Sequence, residues 1–341
     1  MNLTFILKRI GNTNIRGFID TAKEVSKITG KSWVSVLMDI LDCTKKYGSG
    51  RVDYITFEMY NMSDSERAKL LTIGKNNELT KKYNDPTYIK YFDDKGVFNK
   101  KFDKFLKRDW MIIDGNNLNE FKEFISNKSS IVVKPLNLSC GTGIEKIDLD
   151  DSSNIESIYN RLYEAKKYLI EEIVVQNKEM ATLCSTSVNT IRLLTIVDNG
   201  KPHLVAGAVR MGREGNFVDN FDFGGYEANI GGFAVTLDTS KGVVITDPID
   251  KHRNVYPELP VLGTHVKGFK IPMWDEVVKL VLDAAMVVPQ IGYVGWDISI
   301  SADKGPLIIE GNNYPAQDFI QQPKLGIGTY DAIIRIINND E

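Results

Sequence analysis

The run GWDISISADKGPLIIEGNNYP, residues 295–315, constrains the fold more than any other stretch of the chain. Trp296, Ile298 and Ile300 alternate with Asp297, Ser299 and Ser301, the period of a strand with one apolar and one polar face. A second run puts Ile308, Glu310 and Asn312 on a common face, so an antiparallel hairpin is expected. With the turn centred between Asp303 and Lys304, paired residue numbers sum to 607 and Asp297 lies opposite Glu310. Directly opposed like charges destabilise a ladder, and such a pair calls for a neutralising cation, a raised pKa or open solvent. Asn312 adds an amide oxygen on the same face, and Gly295 opposite it leaves room. Two carboxylates and an amide are hard oxygen ligands of the kind Mg2+ takes when phosphates fill its other positions. A solvated acidic hairpin is the plainer alternative.

Other metals fit less well. The three histidines, His203, His252 and His265, have no zinc spacing, and the three cysteines, Cys43, Cys140 and Cys184, suit reduced thiols rather than a disulfide framework. The 42 basic and 45 acidic residues give a formal net charge of -3, which leaves no electrostatic footprint for nucleic acid. The apolar run at residues 3–7 is too short for a signal-peptide core, and no stretch of about 18 apolar residues occurs. A cytoplasmic protein acting on small molecules, without a transmembrane segment, is expected.

The first 84 residues read as a mainly helical region: helices over 17–29 and 32–47, the second carrying Val34, Leu37, Met38 and Leu41 and ending at Gly48, and a third opened by a Ser63/Glu66 capping box ahead of Ala68, Leu70, Leu71 and Ile73. From about Asn84 the texture changes to short β-rich runs separated by glycines and single helices, an α+β or α/β core over 85–341. Ser153 and Glu156 form another capping-box pattern, and 274–288 reads as an amphipathic helix stopped by Pro289.

Two stretches could hold a nucleotide, and the arginine-bearing strands beyond them fit a substrate-facing role. Residues 131–134 form a short strand ending in Lys134-Pro135, followed by the glycine turn Cys140-Gly141-Thr142-Gly143 and a second strand at 144–147. Freed backbone NH groups beside a lysine can cradle phosphate, although an ordinary glycine hairpin reads the same way. No helix follows and GxxxxGK[ST] is absent, so neither a Walker loop nor a Rossmann turn fits. The strand YLIEEIVV then leads into Glu171 and Glu172, whose neighbours could meet an adenine edge, or which could simply guard an exposed strand. Finally, Arg192, Arg210 and Arg213 sit on strand-like runs, with Asn220 and the glycines Gly224, Gly225, Gly231 and Gly232 beyond them. Fixed guanidiniums suit a transferring phosphoryl group or a substrate carboxylate, and surface ion pairs are the alternative.

The order of these pieces, ending in Asp297…Glu310-x-Asn312, resembles the ATP-grasp superfamily, and within it the sugar-transfer-associated proteins. The likeness covers roughly residues 93–322, and the terminal D-x12-E-x-N is similar to the metal-binding spacing of D-alanine:D-alanine ligases. It implies two α+β subdomains enclosing ATP, divided near residues 172–173, behind an N-terminal helical extension. On that basis Lys134 meets the α and β phosphates, the loop containing Ser139, Gly141, Thr142 and Gly143 closes on the β and γ phosphates, and Glu171, Glu172, Ile173 and Val174 line adenine. Glu179 is the candidate for the ribose, with Glu172 as the alternative, and Lys95 in FDDKGVF resembles the superfamily's earlier phosphate lysine. Asp297, Glu310 and Asn312 are the implied ligands of two Mg2+ ions, with Mn2+ an alternative metal. The superfamily's arginine immediately before the metal-binding acid is absent, since Gly295 and Trp296 stand there. Arg192 or Arg210 is then the candidate for that work, with Asn220 the third catalytic candidate.

The implied activity is an ADP-forming carboxylate–amine ligase acting through an acyl phosphate on a sugar acid or amino acid in surface polysaccharide or envelope biosynthesis. The alternatives are a small-molecule kinase and a nucleotide-binding protein without catalysis. A homodimer is left open. Specificity is expected to reside in the loops at 217–232 and 247–270.

Overall fold

Capping explains where several helices begin. Ser32 accepts a hydrogen bond from Ser35 N at the head of Trp33–Tyr47, whose end is closed by Gly48 in the left-handed conformation. Ser63 and Glu66 form the expected reciprocal box, but the helix they open, Asp64–Lys69, is short. It stops because Leu70 turns extended, and a separate helix, Ile73–Tyr83, starts where Asp53 accepts from Ile73 N. The Ser153/Glu156 box does not form: Asn154 accepts from Ser157 N and caps Ile155–Glu164 instead. On Trp33–Tyr47 the buried face is Val36, Ile40 and Cys43; of the expected stripe Leu37 and Leu41 pack partly against it, and Val34 and Met38 are exposed.

The computed structural model describes residues 15–137, 143–150, 153–217, 219, 221, 231–322 and 327–338. It divides into two units, Met1–Glu78 with Gln321–Asp331, and Leu79–Ile320 with Ala332–Glu341. In the first unit, helices pack around Val25, Ile40, Tyr54 and Met59, and Arg67 donates to both oxygens of Asp39 at 2.9 Å while Tyr54 donates to the same carboxylate.

The second unit holds two antiparallel sheets. Four strands, β1 (Trp110–Ile112), β2 (Ser130–Lys134), β3 (Glu145–Asp148) and β4 (Leu169–Glu172), lie in the order β1-β4-β2-β3 over a core containing Phe121, Ile131, Val133 and Leu162. Six more, β5 (Thr190–Asp198), β6 (Lys201–Met211), β7 (Phe233–Asp238), β8 (Val243–Val244), β9 (Tyr293–Ser301) and β10 (Gly305–Asn312), lie in the order β10-β9-β5-β6-β7-β8. Their apolar face, including Ile191, Val209, Trp296 and Ile298, packs on the helices Lys95–Leu106 and Trp274–Ala285.

Asp297 does pair with Glu310, but by a different route from the regular hairpin. From the turn to Ile308 the partners follow a register one residue shorter, Ile308 opposite Ile298, and a β-bulge before Glu310 restores the pairing. The bulge also corrects the facing. Ile308 lies in the apolar core, whereas Glu310 and Asn312 share the other face.

Two acids of β4 tie the sheets together. Glu171, 2% exposed, accepts from Arg108 Nη2 at 2.8 Å and Asn99 Nδ2 at 2.9 Å, and pairs with Lys134 Nζ at 2.5 Å. Burial opposes its charge, but Arg108 and Lys134 outweigh that and hold the carboxyl well below the usual range. Glu172 holds Lys304, in the β9–β10 turn, at 2.8 and 2.9 Å and accepts from Asp109 N at 3.0 Å.

Two stability predictions follow from this packing. A Cβ on Gly311 would approach ring carbons of Phe92 and Phe98 to 2.9 and 3.0 Å, inside a cluster that includes Phe102 and Trp296. Gly311→Ala is therefore expected to lower stability by about 1–3 kcal/mol; a wild-type urea midpoint would show that the aromatic cluster yields instead. For Glu171 the folded pKa lies below the unfolded value of about 4.3, so its contribution is complete above that pH and is lost as pH falls through the folded value. Glu171→Gln is expected to destabilise by on the order of 3 kcal/mol at neutral pH, with the gap to wild type shrinking as pH falls below about 4.3. Urea midpoints at pH 7 and pH 3.5 measure it, and a pH-independent gap would refute the assignment.

Candidate functional site

Three central strands assemble the site's charges. Arg192 on β5 is the register partner of Asp297 on β9, and Arg210 on β6 is the partner of Thr190 on β5. Arg192 therefore reaches Asp297 with both arms of its guanidinium, Nε to Oδ1 at 2.5 Å and Nη2 to Oδ2 at 2.9 Å, and Arg210 Nη2 adds a third bond at 3.0 Å. Asp297 is 1% exposed, and burial alone would favour its neutral form. The two guanidiniums prevail and lower its pKa. Arg210 also donates to Thr190 Oγ1, which in turn donates to Asp219, whose own pKa is raised by burial against the pull of Arg210. The Phe319 ring lies 5.3 Å from Arg192 and 5.8 Å from Arg210.

The space above Gly295 is used by a neighbour. A Cβ there would meet Arg192 Cδ at 3.3 Å and Pro315 at 2.8 Å, so the glycine admits the guanidinium of the next strand. The repulsion expected between two opposed acids is thus not left open for a cation. Two arginines neutralise Asp297, and Glu310 stands opposite it in the ladder.

Beside this cluster a cleft of about 800 Å³ runs along edge strand β10. Glu310 and Asn312 line it on one side, and Lys95, Asn99, Lys134 and Glu171 elsewhere. Lys95 stands at the first position of the helix Lys95–Leu106, whose cap is the Asp94 side chain. Asp297 is not among the lining residues, and neither are Glu172, Ile173, Val174, Glu179, Arg192 or Arg210. Ile173 and Val174, which follow β4, are half-buried, and Glu179 is exposed on the short helix Lys178–Ala181. Gly143 has φ 77°, a conformation that favours glycine. Ser139, Gly141, Thr142 and Asn220 lie outside the described residues, as do Gly224 and Gly225.

The donor chemistry at the cleft suits a hard cation in part. Glu310 and Asn312 offer a carboxylate and an amide oxygen, and among the described residues no three His, Cys, Asp or Glu side chains converge. Of the roughly four lone-pair positions on Asp297, three already accept N–H groups. Among the described residues, no helix is long and apolar enough to cross a membrane.

Several residues of this arrangement gave no signal in the sequence. Arg108 and Asn99 read as ordinary surface and helix residues, and Lys304 as a turn residue, because their partners lie 63 to 132 positions away. Asp219 and Phe319 likewise join the site only through their contacts with Arg210 and Arg192.

The family description "sugar-transfer associated ATP-grasp" matches residues 74–325. No curated protein matches the chain. Among solved structures the chain is similar to D-alanyl-alanine synthetase A from Vibrio cholerae O1 biovar eltor, with 13% identity over 73% of this chain and 64% of that one and a TM-score of 0.42. It is also similar to a D-alanine–D-alanine ligase from Bacillus anthracis, with 15% identity over 77% and 74% and a TM-score of 0.43. A third is the ATP-grasp ligase PsnB in complex with a precursor variant, Mg and ADP, with 13% identity over 74% and 61% and a TM-score of 0.41. The chain spans less than two thirds of the length of the Vibrio protein and of PsnB, 64% and 61%.

Proposed function

The chain belongs to the sugar-transfer associated ATP-grasp family and has the ATP-grasp fold, and on that premise we propose that it is an ATP- and Mg2+-dependent carboxylate–amine ligase. The observation that carries this reading is a single cleft bringing Lys95 and Lys134 to the same space as Glu310 and Asn312. That pairs cationic groups for phosphates with oxygen donors for a divalent cation, in a volume suited to a small-molecule site.

In the proposed reaction a substrate carboxylate attacks the γ phosphorus of ATP, releasing ADP and leaving an acyl phosphate. An amine then displaces phosphate and forms the amide. When bound, Mg2+ neutralises charge on the phosphates and on the transferring phosphoryl group. Glu310 and Asn312 would hold it. Lys134 exchanges its contact with Glu171 for the α and β phosphates, and Lys95 approaches from the helix terminus. Asp297 fixes the forks of Arg192 and Arg210, so that a guanidinium from the neighbouring strands serves where the superfamily has one immediately before the acid. The segment after β4 stays the candidate adenine wall. Because Lys304 and Asp109 N occupy Glu172, exposed Glu179 is the better ribose partner. Ser139, Gly141, Thr142 and Gly143 as the phosphate loop, and Asn220 as a catalytic group, complete the proposal.

We take residues 85–341 as the ATP-grasp portion and a sugar acid or amino acid as the acyl donor, in the cytoplasm and in surface polysaccharide or envelope synthesis; the family description supports the link to sugar transfer. A kinase on the same fold and a non-catalytic nucleotide binder are the competing readings.

Incubation with ATP, Mg2+, a panel of sugar acids and amino acids, and hydroxylamine separates them. Hydroxamate with ADP and phosphate is the expected result, and Glu310→Gln should reduce it about 100-fold. A stable phosphorylated product would instead mark a kinase, and nucleotide binding without turnover on any acceptor would favour the non-catalytic reading.

A further inference from the structure

Thirteen positions separate Asp297 from Glu310, one more than the register of the hairpin's first half provides, and Ile309 is the extra residue. Without the bulge, alternation from core-facing Ile308 would send Glu310 back toward Phe102 and Trp296. A bulge disrupts the ladder locally, and buried carbonyls it leaves need donors from elsewhere. Arg108 supplies them. Its side chain is 2% exposed, Nη1 donates to Ile308 O at 2.6 Å, and Nη2 donates to Ile309 O at 3.0 Å and to Glu171 Oε1 at 2.8 Å.

We propose that Arg108 is a positioning residue for the cation site: its fork pins the Ile308–Ile309 bulge and thereby holds Glu310 on the cleft face. This rests on reading Glu310 as a metal ligand. Glu171 completes the device, because the carboxylate that orients Arg108 also pairs with Lys134. A planar guanidinium can meet two carbonyls and a carboxylate in one geometry, whereas an ammonium on a flexible stem keeps the charge without the fork.

The test compares wild type and Arg108→Lys in three measurements: Mn2+ affinity in the presence of ADP, by electron paramagnetic resonance; ADP binding in EDTA, by equilibrium dialysis; and the thermal midpoint. The expected result is Mn2+ affinity reduced about 10-fold or more, as for other changes behind a metal ligand, with metal-free ADP binding retained. Wild-type Mn2+ affinity in the variant would overturn the inference, as would parallel loss of both affinities, which marks a general structural role. If Arg108→Lys does not fold, the same change combined with deletion of Ile309 decides. That deletion makes the ladder regular and leaves Glu310 opposite Asp297, so restored folding with Mn2+ binding supports the proposal and folding without it refutes it. Wild type that binds neither Mn2+ nor ADP would instead overturn the nucleotide reading, and this inference with it.

Discussion

The buried carboxylate of Glu171 is the point through which the larger unit is held together. It lies on the middle of a small sheet, yet its partners are a helix amide, a lysine at the cleft and an arginine that grips the edge strand of the other sheet. Isolated, such a charge would cost several kcal/mol to bury, and it persists only because every oxygen is met by a donor. The sheets are therefore fixed to one another by directional bonds as well as by apolar contact.

The same economy recurs at Asp297, where two arginines from successive strands converge on one carboxylate. Each of these ions would be unfavourable alone in the interior. Together they make a tightly bonded cluster beside the cleft, two positive charges on one negative with Asp219 3.6 Å from Arg210, and with the Phe319 ring close to both guanidiniums. Rigidity matters for chemistry that works by placement, since donors already in position need no reorganisation as charge develops.

Much of this was legible in the sequence where the signal is local. The hairpin was readable from its alternation and the helix at Trp33–Tyr47 from its cap, whereas Lys134 was read at the end of its strand and Lys95 only through the family resemblance. What failed did so through competing contacts, distant at Leu71, whose N–H meets Gln321, and local at Ser153, whose hydroxyl turns to Asp150. The helix begun at Ser63 broke at Leu70, the cap at Ser153 passed to Asn154, and a turn one residue tighter was offset by a bulge that alternation cannot reveal. Arg108 had no local signature at all, because a buried arginine differs from an exposed one only in what it meets.

The arginine that fills the space above Gly295 lies 105 residues before the Asp297 it binds. In a sheet, two residues become neighbours by register, and the chain between them can be of any length. A pattern search along the sequence counts a guanidinium before Asp297 as missing, while an observer standing at the carboxylate finds two. The address of that group is a coordinate in the sheet, and a strand next door can deliver to it as well as the strand that carries the acid.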